Sequence, residues 1–307
     1  MTGSDAPPPP ALARAGIDRS ADERAEPDLL DRLRADASSR VVPVHGDRGL
    51  VVAEGTRVHT VAVGDIAGDA EWAFLGRAHG GAAVLLAATA ADAPAPVQAM
   101  GGAVWTPLRV VGGDLDAVDA GTLVEAVALG RWLVEAPFCS ACGTRTGVRE
   151  AGWSRLCPHC GRTHFPRTDP AVIVAVHSHD GERLLLGQNA LWRSRNVYST
   201  FAGFVEAGES LEGAIVREIR EEAAVTVVES RYRASQSWPY PRSLMLGFHA
   251  RVAADAAPAP DGVEIVDVRW FTRDELVAAL AGHGEVALPG SASIARRLIV
   301  DWVERTP

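Results

Sequence analysis

At 307 residues, with 47% hydrophobic residues and a mean hydropathy of +0.04, the chain is long enough for two domains and carries core material for both. Its formal net charge of −9 argues against a protein that grips long stretches of nucleic acid through phosphate contacts, while small anionic substrates held through metal ions remain compatible. No apolar run approaches the roughly 20 residues needed to span a bilayer, and the opening MTGSDAPPPPALARAG lacks the basic and apolar stretches of a secretory signal, so a globular cytoplasmic protein is expected.

Residues 1–40 are rich in Pro, Ala, Asp and Arg and show no sustained strand pattern; they read as a flexible tail ending in a short helix at Asp28 to Ala35. Over residues 41–134 an N-terminal α+β domain is expected. Short apolar runs separated by Gly and Asp (VVPV, LVVAEG, RVHTVAVG, EWAFLG, GAAVLLAATA) suggest a small sheet, and residues 114–134 place Leu, Val and Ala at helical spacing behind an Asp. After a cysteine-bearing stretch at residues 135–167, the run from Ala171, the turn His179-Asp180-Gly181 and the return from Arg183 to Gly187 signal a hairpin. A helix is expected from about Ser210 to Ala223. Beyond it, RYRASQSWPYPRS reads as a loop, SLMLGFHARV and EIVDVRWF as strands, and Arg273 to Ala281 and Ser291 to Glu304 as helices.

All four cysteines fall in two CxxC pairs, Cys139/Cys142 and Cys157/Cys160, with fourteen residues between the pairs. At that spacing two tight turns present four thiolates tetrahedrally to one Zn²⁺, and Gly143 and Gly161, each just after a pair, accept the positive φ such turns require. A closed four-sulfur site holds shape and does no chemistry; the competing reading is unligated thiols or a redox pair. With four thiols available, His159 and His164 are expected to face solvent or the edge of a substrate, not the metal.

Glu218, Glu221 and Glu222 stand at i, i+3 and i+4 and so share one face of the expected helix. Three like charges on one face call for a neutralising cation, and Mg²⁺ held by a few carboxylates plus substrate phosphates is one solution. The other is an ordinary solvated acidic face paired with Arg217 and Arg220. Taken alone, the helix leaves both open.

The stretch from Gly203 to Val225 resembles the Nudix box, G-x5-E-x7-R-E-U-x-E-E-x-G-U, through Gly203, Glu209, Arg217, Glu218, Ile219, Glu221, Glu222 and Val225; Ala224 stands where that pattern has glycine. Downstream, Ser235-Gln236-Ser237-Trp238-Pro239-Tyr240-Pro241-Arg242-Ser243 resembles the SQPWPFPxS array of the NADH pyrophosphatase (NudC-like) branch of the Nudix hydrolase family, with Ser237 and Tyr240 departing from it. The resemblance runs from Cys139 to the C-terminus. It implies an α/β fold: a Nudix domain with a mixed sheet between helices over residues 168–307, preceded by a four-cysteine zinc ribbon at 135–167 and the small N-terminal α+β domain.

The same resemblance implies that Glu218, Glu222, Glu264 and the carbonyl of Ala202 hold catalytic Mg²⁺ or Mn²⁺, with Glu221 as ligand or base, while Glu209 and Arg217 orient loop and helix through a salt bridge. It further implies substrate contacts from Phe165, Phe204, Ser235, Gln236, Trp238, Tyr240, Ser243 and Ala295, with Arg109 a further candidate. In the Trp-Pro array the prolines stiffen a segment that holds aromatic rings ready to stack. The expected reaction is metal-dependent hydrolysis of the diphosphate of NAD(H), giving the nicotinamide mononucleotide and AMP, with NAD-capped RNA 5′ ends as related substrates and a homodimer as the assembly. The rivals are a Nudix hydrolase of ADP-ribose or another nucleoside diphosphate derivative, and a non-catalytic zinc-ribbon protein that senses nucleotides.

Overall fold

Leu85 and Ala87 alternate with Leu86 and Ala88 along one strand, and all four are buried, so this part of the chain needs cover on both faces of a sheet. The computed structural model describes residues 8–14, 16–52, 57–254 and 257–304. These form two units: Met1–Ala13, Asp169–Ser237 and Ser243–Pro307 make up one, Arg14–Thr168 and Trp238–Arg242 the other.

In the unit that begins at Arg14, helix α1 (Leu29–Ala35) precedes strands β1 (Arg40–His45), β2 (Arg48–Val52), β3 (Glu71–Arg77), β4 (Ala83–Thr89) and β5 (Ala103–Pro107), then α2 (Leu108–Val111) and α3 (Ala117–Glu135). The sheet order is β3-β4-β1-β2-β5, with β1 and β4 parallel and the other neighbours antiparallel. Leu85 and Ala87 pack with Leu29 and Leu33 of α1, Leu50 and Phe74. The opposite face takes α3, where a Cβ on Gly130 would lie 3.0 Å from that of Ala88 and one on Gly49 would lie 2.4 Å from Leu123 Cδ1. Asp116 caps α3 by accepting from the Asp119 N–H at 2.8 Å.

The expected strand over residues 57–64 is not formed. Its buried valines, Val58 and Val61, stand three apart, out of step with a two-residue repeat, and they meet Val51 and Val41 only as isolated bridges. Residues 53–55 of the preceding run, with residue 56, lie outside the described residues.

Beyond α3, β6 (Gly147–Arg149), β7 (Ser154–Leu156) and β8 (Thr163–His164) form a small antiparallel sheet. Arg155 on β7 is 2% exposed. Its guanidinium donates to the Leu133 carbonyl at the end of α3 (2.5 Å) and to that of Thr146 (3.4 Å), and it lies 3.2 Å from Glu71 on β3. A buried guanidinium thus ties the ribbon to the helix and sheet before it.

The other unit contains β9 (Asp169–His177), β10 (Arg183–Asn189), β11 (Phe201–Phe204), α4 (Leu211–Ala223), β12 (Val227–Trp238), β13 (Ser243–Val252), β14 (Ile265–Thr272), α5 (Arg273–Leu280) and α6 (Ile294–Glu304). Its sheet runs β12-β13-β9-β10-β14 with β11 also paired to β9; β9 and β13 are parallel, while β10 and β11 run antiparallel to β9. Val172, Val174 and Val176 pack with Ile215 and Ile219 of α4, and Ile173 and Ala175 with Leu298 and Ile299 of α6. The mixed sheet therefore lies between helices.

The stretch expected as a loop over RYRASQS is instead the second half of β12. That strand lies at one end of the sheet order and much of it is polar and partly exposed, so it carries no apolar alternation to read. Residues 1–7 and 15 of the expected tail lie outside the described residues, but within it Leu12 is buried at 2% and its N–H donates to Gln236 Oε1 at 3.3 Å. Among the described residues no helix is long and apolar enough to cross a membrane.

Candidate active site and metal centre

Each cysteine pair sits in the same local structure. The N–H of Cys139 donates to Thr144 O and that of Gly143 to Cys139 O; likewise Cys157 donates to Arg162 O and Gly161 to Cys157 O, all at 2.8–3.0 Å. Gly143 and Gly161 take φ of 72° and 71°, where a Cβ would strain the turn. Facing each other, the two turns bring all four Sγ atoms within 4.8 Å of one another, with Cys139–Cys160 at 3.6 Å and Cys142–Cys157 at 3.5 Å. Sulfurs bound tetrahedrally at zinc's usual bond length are about 3.8 Å apart, so the set fits Zn²⁺. Hydrogen bonding with Thr144 lowers the Cys142 thiol and favours its thiolate, while at Cys160 a hydrogen bond from the Arg162 backbone is outweighed by desolvation and the neighbouring sulfurs, which raise its thiol, as expected where several thiolates crowd together. His164 does not face solvent as expected: its Nε2 lies 3.3 Å from Cys139 Sγ, placed there by the pairing of β8 with β7.

Ser210 caps α4 by accepting from the Gly213 N–H at 3.1 Å, and the helix presents Glu218, Glu221 and Glu222 toward different partners. Arg217 organises the near side. It binds both carboxylate oxygens of Glu209 at 2.9 Å and donates to Phe204 O at 2.9 Å, Glu218 Oε1 at 2.8 Å and Glu221 Oε2 at 3.2 Å. Glu209 Oε2 also accepts from the Glu206 N–H, closing the loop before the helix. Glu221 is largely exposed.

Glu222 is different. It is 5% exposed, and its Oε2 is buried with no hydrogen-bond partner. Burial first, then the charges of Glu264, Glu218 and Asp261, push its carboxyl up to about 8, while a hydrogen bond from the Ala202 backbone partly opposes them. On β11, Gly203 leaves room for a carboxylate that any side chain would displace, since a Cβ there would lie 1.9 Å from Glu218 Oε1. A buried, unpartnered carboxylate oxygen in the field of three other acids suits a hard divalent cation with oxygen ligands. No three carboxylates among the described residues bring oxygens within 4.8 Å of one another as the cysteines do, and Glu218 is paired with Arg217 at 2.8 Å.

The segment resembling the Trp-Pro array is divided between the units, with Ser235, Gln236 and Ser243 in one and Trp238 and Tyr240 in the other. Gln236 is internal: at 1% exposure its amide donates to Ala292 O at 3.1 Å and accepts from Leu12, so both ends are used within the protein. Ser243 and Ala295 are buried, Ser235 is half-buried and Phe204 is exposed. In the other unit the rings of Trp238 and Tyr240 lie 4.9 Å apart. The Tyr240 hydroxyl accepts from the Arg109 N–H at 2.9 Å, with the Arg109 guanidinium 5.7 Å from the ring centre. Phe165, 47% exposed, lines a cleft of about 470 Å³ with Arg24 and Trp153.

Sequence reading missed Asp261, which lies among these acids, and the sulfur contact of His164. Asp261 stands just ahead of Glu264 and before a glycine, a turn-like placement that could have marked it.

Three family models match the chain: the NUDIX domain at residues 167–289, the NADH pyrophosphatase zinc ribbon domain at 135–165 and the NADH pyrophosphatase-like rudimentary NUDIX domain at 38–132. The chain belongs to the Nudix hydrolases, in the branch that joins these three domains, and is a pyrophosphohydrolase with a four-cysteine zinc ribbon. It is 40% identical to the NAD-capped RNA hydrolase NudC of Mycobacterium tuberculosis H37Rv, covering 95% of this chain and 94% of that one. Two similar relatives are the proteins of the same name from Stutzerimonas stutzeri A1501 (41% identity; 70% of this chain, 72% of that one) and Pseudomonas aeruginosa LESB58 (42%; 66% and 69%).

Proposed function

We propose that this chain hydrolyses the diphosphate of NAD(H), and of NAD carried at RNA 5′ ends, in a reaction that depends on Mg²⁺ or Mn²⁺. The observation that carries this reading is Glu222, a buried carboxylate with an unpartnered oxygen, set among Glu218, Glu264 and Asp261 beside β11. Its context is 40% identity, along nearly the whole chain, to a protein named as an NAD-capped RNA hydrolase. Glu218, Glu222, Glu264 and the Ala202 carbonyl would hold the cation, which when bound would supply Lewis-acid stabilisation of the diphosphate and of a nucleophilic water. Water oxygen bonds to one phosphorus as the bridging P–O bond breaks, so NADH gives reduced nicotinamide mononucleotide and AMP.

Glu209 and Arg217 keep the loop and α4 in register, and Glu221, largely exposed and paired with Arg217, serves as ligand or base. Phe165, Phe204, Trp238 and Tyr240 offer aromatic faces to the nicotinamide or adenine. Ser235, Ser243 and Ala295 contribute polar and backbone contacts, whereas Gln236 acts by holding β12 in place. The zinc is structural, the enzyme is a homodimer, and it works in the cytoplasm.

The test is hydrolysis of NADH, NAD⁺ and ADP-ribose side by side with Mg²⁺ and with Mn²⁺, with products identified by chromatography. Release of AMP and the nicotinamide mononucleotide is expected. Rapid turnover of ADP-ribose alone would move the substrate to another nucleoside diphosphate derivative, and nucleotide binding without turnover of any would favour a sensor.

A further inference from the structure

Ahead of β14 the chain makes a tight turn around one carboxylate oxygen. Asp261 Oδ1 accepts from the N–H groups of Val263 at 2.7 Å, Glu264 at 3.0 Å and Ile265 at 3.0 Å, while the Gly262 N–H donates to Ile265 O at 3.0 Å. Gly262 takes φ of 76°, so the turn is built for this residue order. Glu264, the middle of the three donors, is held from a second direction: the Ala190 N–H donates to its carbonyl at 2.9 Å and Asn189 Nδ2 to its Oε1 at 3.3 Å. Its other carboxylate oxygen is not engaged by Asn189.

We propose that Asp261 is a positioning residue for the divalent-cation site, fixing Glu264 beside Glu222 by gathering three successive backbone N–H groups on one oxygen. The proposal rests on the reading of Glu218, Glu222 and Glu264 as cation ligands. Asp261 is itself poorly placed to ligate through Oδ1, whose lone pairs already meet three donors. What matters in this role is an acceptor at the right distance from the turn, and carboxylate charge is secondary. Outer partners of this kind typically govern about 10- to 100-fold in metal affinity.

The experiment uses the full chain with its zinc in place and titrates Mn²⁺ by calorimetry, with Tm recorded for each variant. Asp261→Asn keeps the acceptor and drops the charge; Asp261→Glu keeps the charge and displaces the acceptor; Asp261→Ala removes both. The expected result is near-parent Mn²⁺ affinity for Asp261→Asn and about 10-fold or greater weakening for Asp261→Glu and Asp261→Ala. The Mn²⁺ concentration for half-maximal hydrolysis should shift by the same factor.

Parent-like binding in Asp261→Ala, or binding in Asp261→Asn as weak as in Asp261→Ala, overturns the proposal. Should Asp261→Ala not fold, the comparison of Asp261→Asn with Asp261→Glu decides alone, equal affinities overturning it. A parent protein that binds no Mn²⁺ overturns this proposal together with the cation site. A parent that binds, and loses binding in Glu264→Gln while Asp261→Ala binds normally, overturns this proposal alone.

Discussion

The carboxylate of Glu218 lies so close to the backbone of Gly203 that a methyl group on that glycine would stand 1.9 Å from Glu218 Cδ and Oε1. The glycine is there for space. Its strand is fixed by pairing with β9, where Gly203 faces Val172, so β11 has little freedom to retreat. In Gly203→Ala the carboxylate must move instead. We expect kcat to fall on the order of 100-fold, the scale of a 1 Å misplacement, with far-UV circular dichroism unchanged. Parent-like kcat would show that Glu218 need not sit where it does.

In the proposed cation site, Glu222 should confer a pH dependence. Its folded-state value, about 8, lies above the ordinary 4.5, so between those limits the folded chain holds a proton that the unfolded chain has released. Stability of the protein without Mg²⁺ should therefore fall as pH rises from about 5 to 8 and then level. With Glu222 as a ligand in the proposed site, added Mg²⁺ should favour the deprotonated carboxylate and flatten that decline, and its affinity should climb by up to about tenfold per pH unit below 8. Melting temperature against pH, with and without Mg²⁺, reads both effects, and in Glu222→Gln this contribution should vanish.

Ala224 ends α4 in the left-handed region, at φ 55° and ψ 25°, with its N–H on Arg220 O at 3.0 Å. The mismatch with glycine at this place in the box is therefore a real conformational cost. Ala224→Gly should stabilise the protein by about 0.5–1 kcal/mol, seen as a higher denaturation midpoint, and leave kcat unaltered because no candidate ligand moves. A lower midpoint would mean that glycine's entropy in the unfolded chain outweighs the relieved strain.

The parts legible in the sequence are those whose signal is local. Ser210, the spacing of Glu218, Glu221 and Glu222, and the two CxxC pairs each speak within a few residues, and each lies in the expected element. Residues whose meaning depends on distant neighbours are not legible. The polar second half of β12 becomes a strand only because β13 pairs with it, and Arg155, an ordinary arginine in sequence, is buried by α3 and β3. Asp261 acquires its place only when the turn before β14 brings it among acids from α4. Gln236 illustrates the opposite error: a motif residue expected at the substrate has its amide spent inside the protein.

Arg155 supplies a stability test. Removing its side chain leaves Glu71, which is 27% exposed, with the longer contact to Arg145 at 3.8 Å, and frees the carbonyl of Leu133 in a buried place. Arg155→Ala should cost about 3 kcal/mol, the scale for breaking a buried pair, in urea denaturation. A loss below about 1 kcal/mol would place the anchoring of the ribbon elsewhere, with Trp153, whose Nε1 donates to Phe74 O at 2.8 Å, the next residue to change.

Zinc removal should separate substrate binding from cation binding. Cys157 is one of two buried ligand candidates, and the Cys139 sulfur beside it holds His164, the residue before Phe165. Losing the metal frees both turns and the end of β8, so Phe165 loses its fixed position. The acids on α4 and before β14 belong to the other unit and share no ligand with the cysteines. Cys157→Ser should therefore lose zinc, raise KM for NADH several-fold and reduce kcat less, with Mn²⁺ affinity near that of the parent. His164→Ala should retain zinc and show a smaller rise in KM. Equal losses of kcat and Mn²⁺ affinity in Cys157→Ser would mean instead that the ribbon supports the whole catalytic centre, and an unchanged KM would remove Phe165 from the substrate contacts.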